Sequence, residues 1–257
     1  MTKKPLVSVI TVVFNGEKTI NSCLESVRSQ DYINIEHIII DGGSSDGTLK
    51  CIEKYMLDIA VLISEEDGGI YHAMNKGIAL SSGEIICILN SDDLYKSHDV
   101  ISKAVSVLVC DDQCDAVLTD VVFVPVDDIN SKSSRKIKAH WFKPYRLRFG
   151  WMPPHPGMFL RRDVHEKYGE YKLDYKIAAD YEFMVRIFLA NRVSYKILSM
   201  TSVVMREGGV STKNRLSTKI ISNEIVKSCL DNDIYTNMFL VILRIPIKMI
   251  LKWVIRP

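Results

Sequence analysis

Residues 7–20 read VSVITVVFNGEKTI. Positions 7–13 are almost continuously apolar and rich in β-branched side chains. That pattern suits a strand buried on both faces, as in a parallel sheet. A polar turn follows, and Ile20, Leu24 and Val27 then recur at helical spacing. The same alternation continues outward. EHIIID at 36–41 reads as a strand ending in an acid, and DGGSSDGT after it is rich in turn and cap residues. A helix is expected over 48–55, a strand at 60–64 (AVLIS), a helix over 70–80 stopped by Ser-Ser-Gly, and a strand in EIICILN at 84–90. Strand and helix alternating through short loops predict an α/β sandwich with a largely parallel sheet.

After Tyr95 the rhythm changes. A helix is expected over 98–109, a strand over 116–124 and a polar loop at DDINSKSSRK. WMPPHPGMFLRR from Trp151 is dense in proline and aromatics, KIAADYEFMVRIFLANR contains a helix, and SYKILSMTSVVMREGGVST reads as a strand and a glycine loop. This half is α+β in rhythm. The expected division is 1–96, 97–215 as the second half of the same domain, and 216–257 as a helical appendage.

The chain has 257 residues, 47% hydrophobic and 25% charged, enough for a full core. A net charge of +2 gives no bias towards nucleic acid. Six cysteines form no CxxC pair and sit mostly in apolar segments, which reads as a reducing, cytoplasmic setting. The basic pair before the first apolar run has no small-residue cleavage site after it, so it is not read as a signal peptide.

Ligands of open α/β sheets bind at the carboxyl ends of strands. Here those ends carry Phe14-Asn15, Asp41, Glu65 to Asp67, and the adjacent pair Asp92-Asp93. GxGxxG and Walker loops are absent, so phosphate charge must be met by a metal or by Lys and Arg. Carboxylates with water and phosphate oxygens are what Mg²⁺ or Mn²⁺ require, which makes Asp92 and Asp93 candidate ligands. The alternative reading of the pair is a cap for the helix that follows.

VSVITVVFNGEKTI, IIIDGGSSDGT, SEEDGGIYHAMNKGI and GEIICILNSDD, in that order, resemble the motifs of family 2 glycosyltransferases with the GT-A fold. More narrowly they are similar to the bacterial polysaccharide-assembly branch, of the colanic acid, O-antigen or capsule type. The match is dense over about the first 95 residues and thinner through PHPGMFLRR, AADYEFMVR and EGGVS. The resemblance implies a GT-A αβα sandwich with a Rossmann-like sheet for the nucleotide-sugar-binding half and an acceptor-binding half after it. It implies that Phe14 stacks on a nucleobase, Asp41 accepts a hydrogen bond from it (uracil N3 in a UDP-sugar), and Glu17 holds the first loop. Asn75 and Lys76 would face phosphates or sugar, Asp92 ribose or sugar hydroxyls, and Asp93 the metal. Asp180 stands at the position of the catalytic base, with AD here where the family writes ED. His155, Arg162 and Ser211 are second-tier candidates for the acceptor or a closing loop.

Bland readings stand beside these. They are packing for Phe14, a turn and cap for DGGSSDG, a solvated charge for Lys76, a cap of its own helix for Asp180, and a structural role for His155. Asn90 stands where many relatives have a further acid, and the QxxRW signature of processive synthases is absent. Single-sugar, inverting transfer to a lipid-linked glycan acceptor is the leading expectation. A sugar nucleotidyltransferase is the first alternative, although FNGEKT offers only Lys18 for its loop. An inactive nucleotide-sugar-binding assembly protein is the second.

No stretch reaches the ~18 uninterrupted apolar residues of a transmembrane helix. Arg244, Lys248, Lys252 and Arg256 recur every fourth residue among apolar neighbours and Trp253. An amphipathic helix with a basic stripe is expected, lying on the inner face of the cell membrane or packing on the protein.

Overall fold

The structure is a computed structural model that describes residues 4–126, 128, 129, 131–208 and 215–247. It divides into two compact units. The first takes Met1–His140, Pro153–Tyr171 and Ser194–Glu207; the second takes Trp141–Met152, Lys172–Val193 and Gly208–Pro257. The chain enters and leaves each unit repeatedly. The physical reason is strand pairing: segments from the second half complete the sheet begun in the first.

The first unit begins with β1 (Val7–Val13), α1 (Ile20–Arg28), β2 (Ile35–Asp41), α2 (Thr48–Ile52), β3 (Val61–Ser64), α3 (Ile70–Leu80) and β4 (Ile85–Ile88). It continues with β5 (Leu94–Tyr95), α4 (Val100–Val109), β6 (Ala116–Val124), β7 (Arg135–Ile137), β8 (Met158–Arg161), α5 (Arg162–Tyr168) and β9 (Tyr195–Arg206). The sheet runs β3-β2-β1-β4-β8-β6-β9-β5, with β7 on β6. β3, β2, β1 and β4 are parallel, and every residue of β1 is buried, as its unbroken apolar run predicts. β8 lies antiparallel to both β4 and β6, and β6 pairs in parallel with β9.

Side chains alternate across β1. Val7 and Val9 join Cys23 and Val27 of α1 and Ile101, Ala104 and Leu108 of α4 in one core. Ile10 points the other way, under α3, where a Cβ at position 77 would lie 2.4 Å from Ile10 Cγ2. Only glycine lets α3 approach so closely, which accounts for Gly77 in AMNKG. The helix expected over 48–55 shortens at Ile52 into a 3₁₀ turn, Glu53–Asp58.

The second unit holds α6 (Ala179–Met184), continued by a π-helical turn Val185–Ala190, then α7 (Arg215–Leu230) and α8 (Met238–Ile242). A 3₁₀ turn, Pro144–Phe149, packs against α8. Glu182 of α6 is fully buried and is held by Arg186 at 2.8 Å, Lys172 at 3.2 Å and the Asn232 amide at 3.1 Å. Two cations and an amide offset what would otherwise be a costly lone buried carboxylate.

The C-terminal stripe needs correction. Arg244 is 7% exposed, donates to Ser222 Oγ at 3.2 Å, and lays its guanidinium where a Cβ on Gly150 would be, 2.5 Å away. Gly150 also has φ 78°, so glycine is required twice over. Arg244 is thus an internal tether and not part of a solvent-facing basic stripe. Lys248, Lys252 and Arg256 lie outside the described residues.

Candidate active site

At the carboxyl edge of the first unit's sheet, the β1–β4 pairing runs on past the strand ends. Leu89 N–H donates to Ile10 O at 3.0 Å and Ser91 N–H to Val12 O at 3.3 Å. Asn90 to Asp93 therefore turn beside the end of β1, closed by Asp93 N–H to Asn90 O at 3.0 Å. Asp93 is 1% exposed and Asp92 is half-buried. Burial raises the carboxyl pKa of both, Asp93 well above its usual range, and the neighbouring Asp92 charge raises Asp93 further. The Asn90 amide and Arg206 pull the other way. Asn90 Nδ2 donates to Asp93 Oδ2 at 3.3 Å. Arg206, itself buried, donates to Asp92 O at 2.6 Å and Ser22 Oγ at 2.8 Å.

This turn fits a hard divalent cation. Two carboxylates are under-compensated, and Asn90 Oδ1 is buried with no hydrogen-bond partner among the described residues. All three donors are oxygens, and no cluster of three or more His, Cys, Asp or Glu suited to a metal occurs among the described residues. Water and phosphate would then complete the shell, as Mg²⁺-type sites allow.

Phe14, just past β1, is 65% exposed, so core packing is not its job. The loop that bears it is stitched to the loop after β2. Asn15 N–H donates to Ser44 Oγ at 2.7 Å, Ser45 N–H to Asn15 Oδ1 at 2.9 Å, and Gly16 N–H to Thr48 Oγ1 at 2.8 Å. Glu17 holds this junction from both ends, donating its N–H to Asp46 at 3.2 Å and accepting from Gly47 N–H at 3.2 Å.

Three donor-facing candidates take partners within the chain. Asp41 is fully buried, and its carboxylate accepts from Ser44 N–H at 3.0 Å, Ser44 Oγ at 2.5 Å and Ser64 Oγ at 2.7 Å. It builds the loop from beneath and has no exposed atom for a base. Asn75 spends its amide on the backbone of Tyr171, donating to its carbonyl at 2.8 Å and accepting from its N–H at 3.0 Å. Lys76 is paired with Glu65 at 2.5 Å. The acceptor candidates also have partners within the chain. His155 is buried, with Nε2 2.8 Å from the Tyr171 hydroxyl. Arg162 donates to Gly83 O at 2.8 Å and Ser81 Oγ at 3.2 Å, closing the end of α3. Ser211 lies outside the described residues.

In the second unit, Asp180 is half-buried in the first turn of α6, and its Oδ1 accepts from Tyr181 N–H at 2.8 Å. The turn before it is held by Glu224 of α7. That carboxylate accepts from the backbone N–H groups of Lys176, Ile177 and Ala178 at 2.7, 3.0 and 2.8 Å.

Residues 8–169 match the profile described as Glycosyl transferase family 2. The chain belongs to this family. An uncharacterized glycosyltransferase of Mycobacterium tuberculosis is 35% identical over 190 residues, 74% of this chain and 71% of that one. Among solved structures, Staphylococcus aureus TarS 1-349 in complex with UDP-GlcNAc superposes with a TM-score of 0.69 at 19% identity, covering 90% of this chain and 68% of that one. The mannosyltransferase PcManGT from Pyrobaculum calidifontis, in complex with GDP-Man and Mn²⁺, gives 0.62 at 22% identity over 90% of this chain and 64% of that one. The glycosyltransferase therefore has the mixed α/β architecture of GT-A enzymes.

Two residues that hold these segments in place escaped sequence reasoning. Arg206 lies in VVMREGG, where a cation at the end of a strand carries no motif of its own. Glu224 sits in SNEIVKS as one more acid on a helix. Only the fold brings each to its partners.

Proposed function

We propose that this glycosyltransferase moves a single sugar, with inversion, from a nucleotide-diphosphate-sugar to a hydroxyl of a lipid-linked or oligosaccharide acceptor in bacterial surface-polysaccharide synthesis. The observation that carries the donor half is the Asn90–Asp93 turn: a buried and a half-buried carboxylate, both under-compensated, and an unpartnered amide oxygen, at the sheet edge that also bears exposed Phe14. The Mn²⁺ and nucleotide-sugars of the solved neighbours support the same reading. Phe14 would stack on the base, and UDP is the proposed nucleotide. Asp92 and Asp93, with Asn90, would hold Mn²⁺ or Mg²⁺. When bound, the cation supplies charge stabilisation to the departing diphosphate.

Asp180 is the proposed general base. The acceptor oxygen forms a bond to the anomeric carbon as the bond from that carbon to the diphosphate oxygen breaks. The electron pair leaves with the diphosphate, and the hydroxyl proton passes to the Asp180 carboxylate. One base and one displacement invert the anomeric centre, with no glycosyl-enzyme intermediate. No described helix is long and apolar enough to cross a membrane. A lipid-linked acceptor instead fits a peripheral position on the inner face of the cell membrane.

The test is a panel of nucleotide-sugars with Mn²⁺ and lipid-linked acceptors, read by mass. One donor should yield an acceptor heavier by one sugar, and EDTA should abolish the product. Nucleotide-sugar binding without transfer or hydrolysis across the panel would leave the inactive assembly protein as the correct reading.

A further inference from the structure

Burial of Arg244 removes the first cation of the expected basic stripe, but the second unit has another basic element. Residues 141–152, WFKPYRLRFGWM, contain three cations, five aromatics and no acid. The 3₁₀ turn Pro144–Phe149 within them packs on α8, and Thr236, just before α8, donates to Arg148 O at 2.6 Å. On this turn and its flank, Trp141 is 57% and Tyr145 56% exposed, and Lys143 and Arg148 are exposed as well. On α8, Phe239 is 72% and Ile242 47% exposed. Asp233 is the last acid in the sequence, so the chain from 234 onward is wholly neutral or cationic.

We infer that these two adjoining elements form a docking surface for an anionic lipid bilayer. A protein partner could cover the apolar side chains alone. The composition favours lipid: exposed Trp and Tyr suit the headgroup level, where an apolar ring and a polar tip are both satisfied. Lys and Arg without an acid among them suit an anionic leaflet. Phe239 and Ile242 supply the apolar area that enters the acyl boundary. The inference rests on the proposed membrane location and relocates its contact from a C-terminal stripe to the turn at 144–149 with α8.

Co-sedimentation of the full chain with vesicles tests it. Wild type should bind vesicles of mixed phosphatidylcholine and phosphatidylglycerol, bind phosphatidylcholine alone far less, and weaken with salt. Each neutralised cation should cost about fivefold, so Lys143→Gln/Arg148→Gln should lower the partition coefficient about 25-fold. Phe239→Ser/Ile242→Ser should also lower it. Thermal midpoints and UDP affinity, measured on the same samples, should stay at wild-type values. Unchanged partitioning of both double variants would overturn the surface. If removing 248–257 abolishes binding while Lys143→Gln/Arg148→Gln leaves it intact, the C-terminal segment alone meets the membrane and this surface is rejected. If wild type ignores both vesicle types, the membrane location falls with it, while the transferase reading stands on its own nucleotide-sugar panel.

Discussion

The side-chain amide of Asn75 clasps the backbone of Tyr171, giving one hydrogen bond to its carbonyl and taking one from its N–H. Both residues are buried, so Asn75→Ala strands two backbone groups. At roughly 1–3 kcal/mol for each unsatisfied group, a loss of about 2–6 kcal/mol is expected in urea unfolding. Nucleotide affinity should not change. Intact stability with weakened nucleotide binding would return Asn75 to the donor site.

Asp93 should destabilise the metal-free protein near neutral pH. Its folded pKa is raised, chiefly by burial, so the folded state holds the proton more tightly than the unfolded chain. Its contribution is therefore lost as pH rises from about 3.9 through the folded value. Asp93→Asn should melt higher than wild type in EDTA at pH 7 and lose the rise in melting temperature that Mn²⁺ gives wild type. Scanning calorimetry with and without Mn²⁺ reads both.

His37 is buried against Thr11, with Nε2 2.9 Å from Oγ1, and burial lowers its pKa to about 4. The unfolded chain takes up this proton first, so the stability is present above about pH 6.5 and is lost as pH falls towards 4. The difference between wild type and His37→Gln should change by up to about 3 kcal/mol across that window, at about 1.36 kcal/mol per unit. A pH-independent difference would show that His37 does not drive acid sensitivity.

Glu224 should act on turnover through Asp180. Asp180→Asn is expected to abolish transfer with nucleotide binding kept. Glu224→Gln leaves one of its three N–H bonds facing an amide donor, and should lower kcat with the donor KM held. In the Asp180→Asn background it should lower the melting temperature but change the residual rate no further. Equal proportional losses in both backgrounds would make Glu224 a stability residue only.

Phe14→Ala should weaken UDP binding by about 1–3 kcal/mol, the usual scale of base stacking on an aromatic ring. Phe14→Tyr should preserve it. With the ring largely exposed, neither change should move the melting temperature.

The sequence displays what repeats and hides what pairs at a distance. β1, α3 and β6 are legible because apolar period and turn residues are local signals, and β6 begins and ends at the expected positions, Ala116–Val124. β8 was invisible: four residues between a proline-rich turn and an arginine pair carry no period. The Asp92-Asp93 turn was legible from a strand ending in acids. The jobs of Asp41, Asn75 and Arg162 were not. Asn75 and Arg162 take partners about eighty residues or more away. Asp41 is closed in by Ser44 and Ser64, which from sequence look like an ordinary loop serine and an ordinary strand-end serine.

The strand order has a consequence during synthesis. On the ribosome β4 emerges long before β8, and β6 long before its parallel partner β9. At roughly 5–20 residues per second, the hydrogen-bonding edge of β4 stays open for several seconds. An open apolar edge is a template for pairing with another nascent chain. Expression cut at residue 96 would make that exposure permanent, whereas a fragment ending after Arg206 carries every strand of the sheet.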